Sequence, residues 1–160
     1  MSQKRVTAAI ALGSNMGDRE KYLRGALTRL ERTPGVVVLR RSTWHETQPV
    51  GGPPGQGLYL NGAALLETTL DAHALLAVLQ AIELKAGRER GVQDAARTLD
   101  LDLLWFGAES RNTPELTLPH PRLHERAFVL APLAELVPDH PLACGQTVAQ
   151  QLETLTGAPS

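Results

Sequence analysis

Apolar residues recur along this chain with two different periods, and the switches between them predict the elements. Val6 to Leu12 is a short, nearly continuous apolar run, the pattern of a buried strand. Gly13-Ser14-Asn15-Met16-Gly17-Asp18 breaks it, with Asp18 able to cap a helix. Leu23, Ala26, Leu27 and Leu30 then fall at helical spacing, which predicts an amphipathic helix over 19–32, ended by Pro34-Gly35. Val36 opens a second strand that runs to about Trp44 or Thr47, and Tyr59 to Thr68 makes a third. Between them, Gln48 to Gly57 is too rich in Gly and Pro for regular structure, and long irregular connections of that kind tend to carry function. Asp71 caps a second helix whose stripe is Leu75, Leu76, Leu79, Ile82 and Ala86. Gly87 is its expected stop, with Arg88 to Ala96 as a polar loop.

The period returns to two at Arg97-Thr98-Leu99-Asp100-Leu101-Asp102-Leu103-Leu104-Trp105-Phe106. Leu99, Leu101 and Leu103 face one way and Asp100 and Asp102 the other, with the two acidic Cα atoms about 7 Å apart. Strand, helix, strand, strand, helix, strand is the split order of a ferredoxin-like α+β fold, a βαββαβ core with helices on one face of a four-stranded antiparallel sheet. The last third adds a turn at Asn112-Thr113-Pro114, a short edge strand from Glu115 to Leu118 and a helical stretch from about Leu123 to Leu136 that Pro132 should kink or divide. After a loop at Pro138-Asp139-His140-Pro141, Thr147 can cap a last helix to Leu155. Nothing resembles a linker or a repeat, so residues 1–160 are expected to form one domain with C-terminal helical additions.

Composition changes this picture little. An apolar fraction of 42% and a charged fraction of 21% describe an ordinary globular protein, and a formal net charge of −1 gives no reason to expect nucleic acid or an anionic membrane as partner. One cysteine, Cys144, excludes an intrachain disulfide and a cysteine-based zinc site. With no signal peptide and no apolar run long enough for a membrane span, the chain is expected to be cytoplasmic. The local chemistry is more telling. Paired carboxylates beside a core raise each other's pKa unless a cation compensates them, and a hard divalent ion such as Mg²⁺ is the simplest one. Arg88, Arg90 and Arg97 crowd just ahead of Asp100, while Gln80 and Glu83 share a face of the preceding helix. Carboxylates for metal beside arginines for oxyanions are the equipment of phosphoryl transfer. An RNA reader on the same fold would instead need a basic face and exposed aromatics on the sheet.

Four blocks then resemble the 6-hydroxymethyl-7,8-dihydropterin pyrophosphokinase family, whose members transfer diphosphate from ATP to a pterin alcohol in folate biosynthesis. They are Ala11-Leu12-Gly13-Ser14-Asn15; Thr47-Gln48-Pro49-Val50-Gly51 with Tyr59-Leu60-Asn61; Arg97-Thr98-Leu99-Asp100-Leu101-Asp102; and Pro119-His120-Pro121-Arg122 through Arg126-Ala127-Phe128-Val129-Leu130. They occur in the family's order and spacing. The resemblance implies that Asp100 and Asp102 hold two Mg²⁺ ions on the ATP phosphates. It implies that Arg88 and Arg97 steady the triphosphate, with Arg90, His120 and Arg126 also in the nucleotide site. Gln80 and Glu83 would line the adenosine side, and Thr117 and Leu103 match nucleotide-contacting positions. The pterin would lie between Tyr59 and Phe128, with Asn15, Thr47 and Asn61 on its polar edge and the segment of Gln48 and Val50 closing over it. The family's pattern further implies a monomer with small-molecule substrates only. Where the family commonly reads Gly-Pro-Arg, this chain has Asp94-Ala95-Ala96-Arg97.

Overall fold

A computed structural model describes residues 5–14, 19–47, 59–90 and 99–157, with the side chains of 87–90 left aside. The elements run β1 (Val6–Ser14), α1 (Arg19–Glu31), β2 (Val36–Arg41), β3 (His45–Thr47), β4 (Tyr59–Thr68), α2 (Ala72–Arg90), β5 (Asp100–Phe106), β6 (Arg111–Asn112), β7 (Thr117–Leu118), α3 (Ala127–Leu136) and α4 (Val148–Thr156). The main sheet is antiparallel in the order β2-β4-β1-β5, and β3 also pairs with β4. Counting β2 and β3 as one broken strand, this is second-third-first-fourth, the ferredoxin-like arrangement. The C-terminal additions are present as expected.

The continuous apolar run of β1 has a direct consequence. Every residue from Ala8 to Ser14 is buried, so the sheet must be covered on both sides. On one face, Ile10, Leu12, Leu66, Leu101 and Leu103 pack with the stripes of α1 and α2. On the other, Ala9, Ala63, Leu65, Leu104 and Trp105 pack under α3 and α4. The additions are therefore the second layer of the domain.

Three boundaries differ from expectation. Gly87 does not stop α2, which continues to Arg90. One glycine in a helix costs only about 1 kcal/mol relative to Ala, so the helix can run through it. Arg88 and Arg90 thus belong to the last turn of a helix, not to a loop. Second, the strand from Val36 breaks at 42–44. There the Ser42 hydroxyl accepts from Ala63 N–H (2.9 Å) and donates to Thr43 C=O (2.8 Å), in place of a ladder bond. Trp44 packs against Gly62, where a Cβ would fall 2.4 Å from its ring. Third, the helical stretch after Leu123 divides at Arg126, whose φ of −115° and ψ of 94° are extended, and not at Pro132. A short 3-10 turn (Leu123–Glu125) precedes the break, and α3 runs through Pro132. Finally, the edge strand expected at 115–118 is the short β6–β7 hairpin. Among the described residues no helix is long and apolar enough to cross a membrane.

Behind the sheet, His140 stacks on Trp105 with ring centroids 3.9 Å apart and planes 3° from parallel. Burial pushes the His140 imidazole below its ordinary pKa. The unfolded chain, with an imidazole near 6.5, then binds more protons than the folded one in the window below that value. Stability is complete above that window and declines as pH falls through it. Denaturant midpoints should therefore drop on acidification from about pH 7, and His140→Phe, which keeps the stack and loses the proton, should flatten that decline.

Candidate active site

The register of β5 fixes which way its acids point. Gly13, Leu12 and Ala11 of β1 pair with Asp100, Leu101 and Asp102. Leu101 and Leu103 are 4% exposed in the α1/α2 core, so Asp100 and Asp102 turn to the opposite face, where both are half-buried. Beyond them a bulge at Leu104 lets both Leu104 and Trp105 pack under α3 before Phe106 returns to the first core. β5 ends the described sheet, so its outward N–H groups need partners. The Leu101 N–H, between the two acids, donates to Glu83 Oε2 at 2.8 Å. Antiparallel alternation then turns the backbone of Asp100 and Asp102 toward β1. A carboxylate of α2 thus fixes the strand that carries the acidic pair.

Asp100 and Asp102 open into a cavity of about 1040 Å³ that also takes in Gly13, Thr47, Tyr59, Asn61, Arg126 and Phe128. Asn61 is 6% exposed; its Nδ2 donates to Thr47 Oγ1 at 2.6 Å. The amide orientation is set by this bond, which leaves Oδ1 toward Gly13, where a Cβ would come within 3.0 Å. Tyr59 and Phe128 are both half-buried on the walls. The Arg126 guanidinium, also in the lining, lies 5.8 Å from the Phe128 ring centroid, within cation–π range.

His120 approaches the acidic pair from the segment before α3. Its N–H donates to Leu104 C=O at 2.8 Å, tying it to β5. Nδ1 accepts from Arg122 N–H at 3.1 Å, which leaves Nε2 as the N–H donor of the neutral ring. Burial lowers the His120 pKa; Asp102 acts against this, and Arg126 and Arg122 add to the lowering. A neutral donor, two cations and two carboxylates therefore share one neighbourhood, which suits a polyanion held with a hard cation. Among the described residues no cluster of three or more His, Cys, Asp or Glu side chains could hold a metal alone. Two half-buried carboxylates fit Mg²⁺, which keeps waters and takes further oxygens from substrate phosphates.

Residues 9–138 match the model of the 7,8-dihydro-6-hydroxymethylpterin-pyrophosphokinase family. The chain belongs to this family. It is 49% identical over 129 residues to the 2-amino-4-hydroxy-6-hydroxymethyldihydropteridine pyrophosphokinase of Bacillus subtilis, covering 81% of this chain and 77% of that one. It is 41% identical over 143 residues to the protein of the same name from Pseudomonas aeruginosa, covering 89% and 88%. The fold is similar to that of Plasmodium falciparum HPPK-DHPS in its crystal structure, with a TM-score of 0.74 at 12% identity, over 98% of this chain and 46% of that longer one.

Of the residues that the family resemblance singled out, Asp100, Asp102, Arg126, Thr47, Tyr59, Asn61 and Phe128 meet in the one cavity. Gln80, exposed on α2, Glu83, Thr117 on β7 and His120 lie outside its lining, and the Leu103 side chain is in the core under α1 and α2. Asn15, Gln48, Val50 and Arg97 lie outside the described residues, as do the side chains of Arg88 and Arg90. The cavity also includes residues not singled out: His45, Gly13, Arg122 and, from α4, Leu152 and Thr156. Gly13 and Arg122 stood inside the motif blocks, whereas nothing local in the sequence points to α4.

Removing Glu83 leaves the half-buried Leu101 N–H without its acceptor. Glu83→Ala should lower the unfolding free energy by about 1–3 kcal/mol, and Glu83→Gln, which retains an acceptor oxygen, by less. Urea denaturation of the two variants against the parent measures the difference.

Proposed function

We infer that this chain transfers diphosphate from ATP to 6-hydroxymethyl-7,8-dihydropterin, giving AMP and the pterin diphosphate in folate biosynthesis. The observation that carries the reading is one cavity lined by two carboxylates, an amide oriented by Thr47, and the rings of Tyr59 and Phe128. The pterin alcohol oxygen attacks the β-phosphorus of ATP; the bond from that phosphorus to the α-phosphate bridging oxygen breaks, AMP departs and the hydroxyl proton is released. Asp100 and Asp102 would hold the two Mg²⁺ ions, which when bound neutralise charge on the phosphates.

The chain's own groups divide the remaining work. Arg126 and the Nε2–H of His120 bind phosphate oxygens, with Arg88, Arg90 and Arg97 assigned to the same task. Gln80, Glu83, Leu103 and Thr117 belong to the nucleotide side. Asn61 can both donate to and accept from the pterin edge, with Thr47 fixing its amide plane. Tyr59 and Phe128 flank the ring, while Asn15, Gln48 and Val50 complete that end. In-line transfer of this kind is catalysed mainly by positioning and charge neutralisation. The same reading has the chain acting as a cytoplasmic monomer on small molecules, and its net charge of −1 supports the absence of a nucleic-acid or membrane partner.

Purified protein with ATP, Mg²⁺ and the hydroxymethyldihydropterin should release AMP, dependent on both the acceptor and the metal. Asp102→Ala should reduce the rate by at least about 100-fold. AMP release by the parent no faster than by Asp102→Ala would overturn the reading.

A further inference from the structure

Glu135 performs no step in the chemistry above, yet it gathers three donors. Its Oε1 accepts from Thr43 N–H at 2.9 Å, and its Oε2 accepts from the Thr43 hydroxyl at 2.7 Å and from Nε2–H of His45. Burial pushes the Glu135 carboxyl pKa up, but the bonds from His45 and Thr43 outweigh it and hold the group below its ordinary value. The carboxylate form is therefore the one that makes the clasp.

The location of the clasp gives it consequence. Glu135 and Phe128 are seven residues apart on α3, two turns along one helical stripe, with Ala131 of the cavity wall between them. Thr43 and His45 lead into β3, whose Thr47 holds the Asn61 amide, and His45 itself lines the cavity. Beside the clasp, Arg40 Nη1 donates to the Leu136 C=O at 3.1 Å, extending the seam to the end of α3. β3 has only three residues, so pairing with β4 alone holds it weakly. A further side-chain anchor, Glu46 to Arg19 at 2.7 Å, ties it to α1 and not to α3.

We propose that Glu135 is a positioning residue for the acceptor: through Thr43 and His45 it sets the separation between the Thr47–Asn61 edge and the Phe128 wall. This rests on the reading that the acceptor ring lies between those groups. The clasp does not touch the acidic pair, so its loss separates the two substrates. In steady-state kinetics on the full chain, Glu135→Ala should raise KM for the hydroxymethyldihydropterin about tenfold and leave KM for ATP within about twofold. Glu135→Gln, which keeps acceptor capacity toward Thr43, should recover part of that loss. Hydrogen exchange on the same variants should show faster exchange at Thr43 to Thr47 of Glu135→Ala, with β1 and the part of β4 beyond Ala63 unchanged. Unaltered exchange in that segment, an unaltered acceptor KM, or equal changes in both KM values would overturn the proposal. Variants that exchange as described while the parent enzyme releases no AMP would instead overturn the functional reading, and the acceptor role with it.

Discussion

The position of the acidic pair depends on the burial of two leucines. Leu101 and Leu103 sit in the α1/α2 core, and because side chains alternate along a strand, their burial decides where Asp100 and Asp102 point. A one-residue slip of β5 against β1 would bury both carboxylates and expose both leucines. The leucines alone would lose about 1.5–3 kcal/mol each, and every buried, unpaired charge would cost several more. The site is thus aimed by hydrophobic burial on the far side of the sheet. The bulge at Leu104 comes only after the acids, so the two-residue period is undisturbed where it matters.

The other half of the cavity is built by different means. Thr47, Tyr59 and Asn61 come from β3 and β4, whereas Arg126 and Phe128 come from the break before α3 and its first turn. These walls belong to separate elements and meet through side chains: Glu135 to Thr43 and His45, and Arg40 to the Leu136 carbonyl. His120 bridges the halves, since its backbone hangs from β5 and its ring sits near Asp102 and Arg126.

Much of this was legible in the residue pattern, for identifiable reasons. The alternation at Leu99 to Leu103 gave the facing of the acids, whereas helices were expected on one face of the sheet only, and the cover that α3 and α4 supply on the other was not read from the apolar run of β1. What escaped the pattern involves partners distant in sequence. Neither the bond from Leu101 N–H to Glu83 nor the clasp on Glu135 leaves a local signature, because a carboxylate on a helix surface reads as solvated. The break at Ser42 depends on a hydroxyl replacing a ladder bond, and Ser occurs in strands without doing so. Gly87 is the opposite case, a strong local signal overridden because the helix around it continued to gain bonds. The motif blocks named most of the polar cavity residues, but not the α4 side chains, which reach the cavity only because α3 and α4 form the second layer.

On the proposed reading, the two kinds of support match the different demands of the two substrates. Phosphates and a hard cation demand positions fixed to fractions of an ångström, since their interactions fall steeply with misplacement. Backbone pairing to a central strand buried from Ala8 to Ser14 supplies that stiffness, and Glu83 removes the freedom an edge strand would otherwise keep. A flat ring between two aromatic walls demands a correct gap and little else along its plane, which a helix tethered at its far end can provide. Arg126 makes the division less than complete. It lies two residues from Phe128, at the entry to the same helix, and faces the groups near Asp102. Its backbone is extended, however, and its N–H is held by the Leu123 C=O of the preceding 3-10 turn, so the cation is anchored ahead of the helix whose far end Glu135 and Arg40 hold.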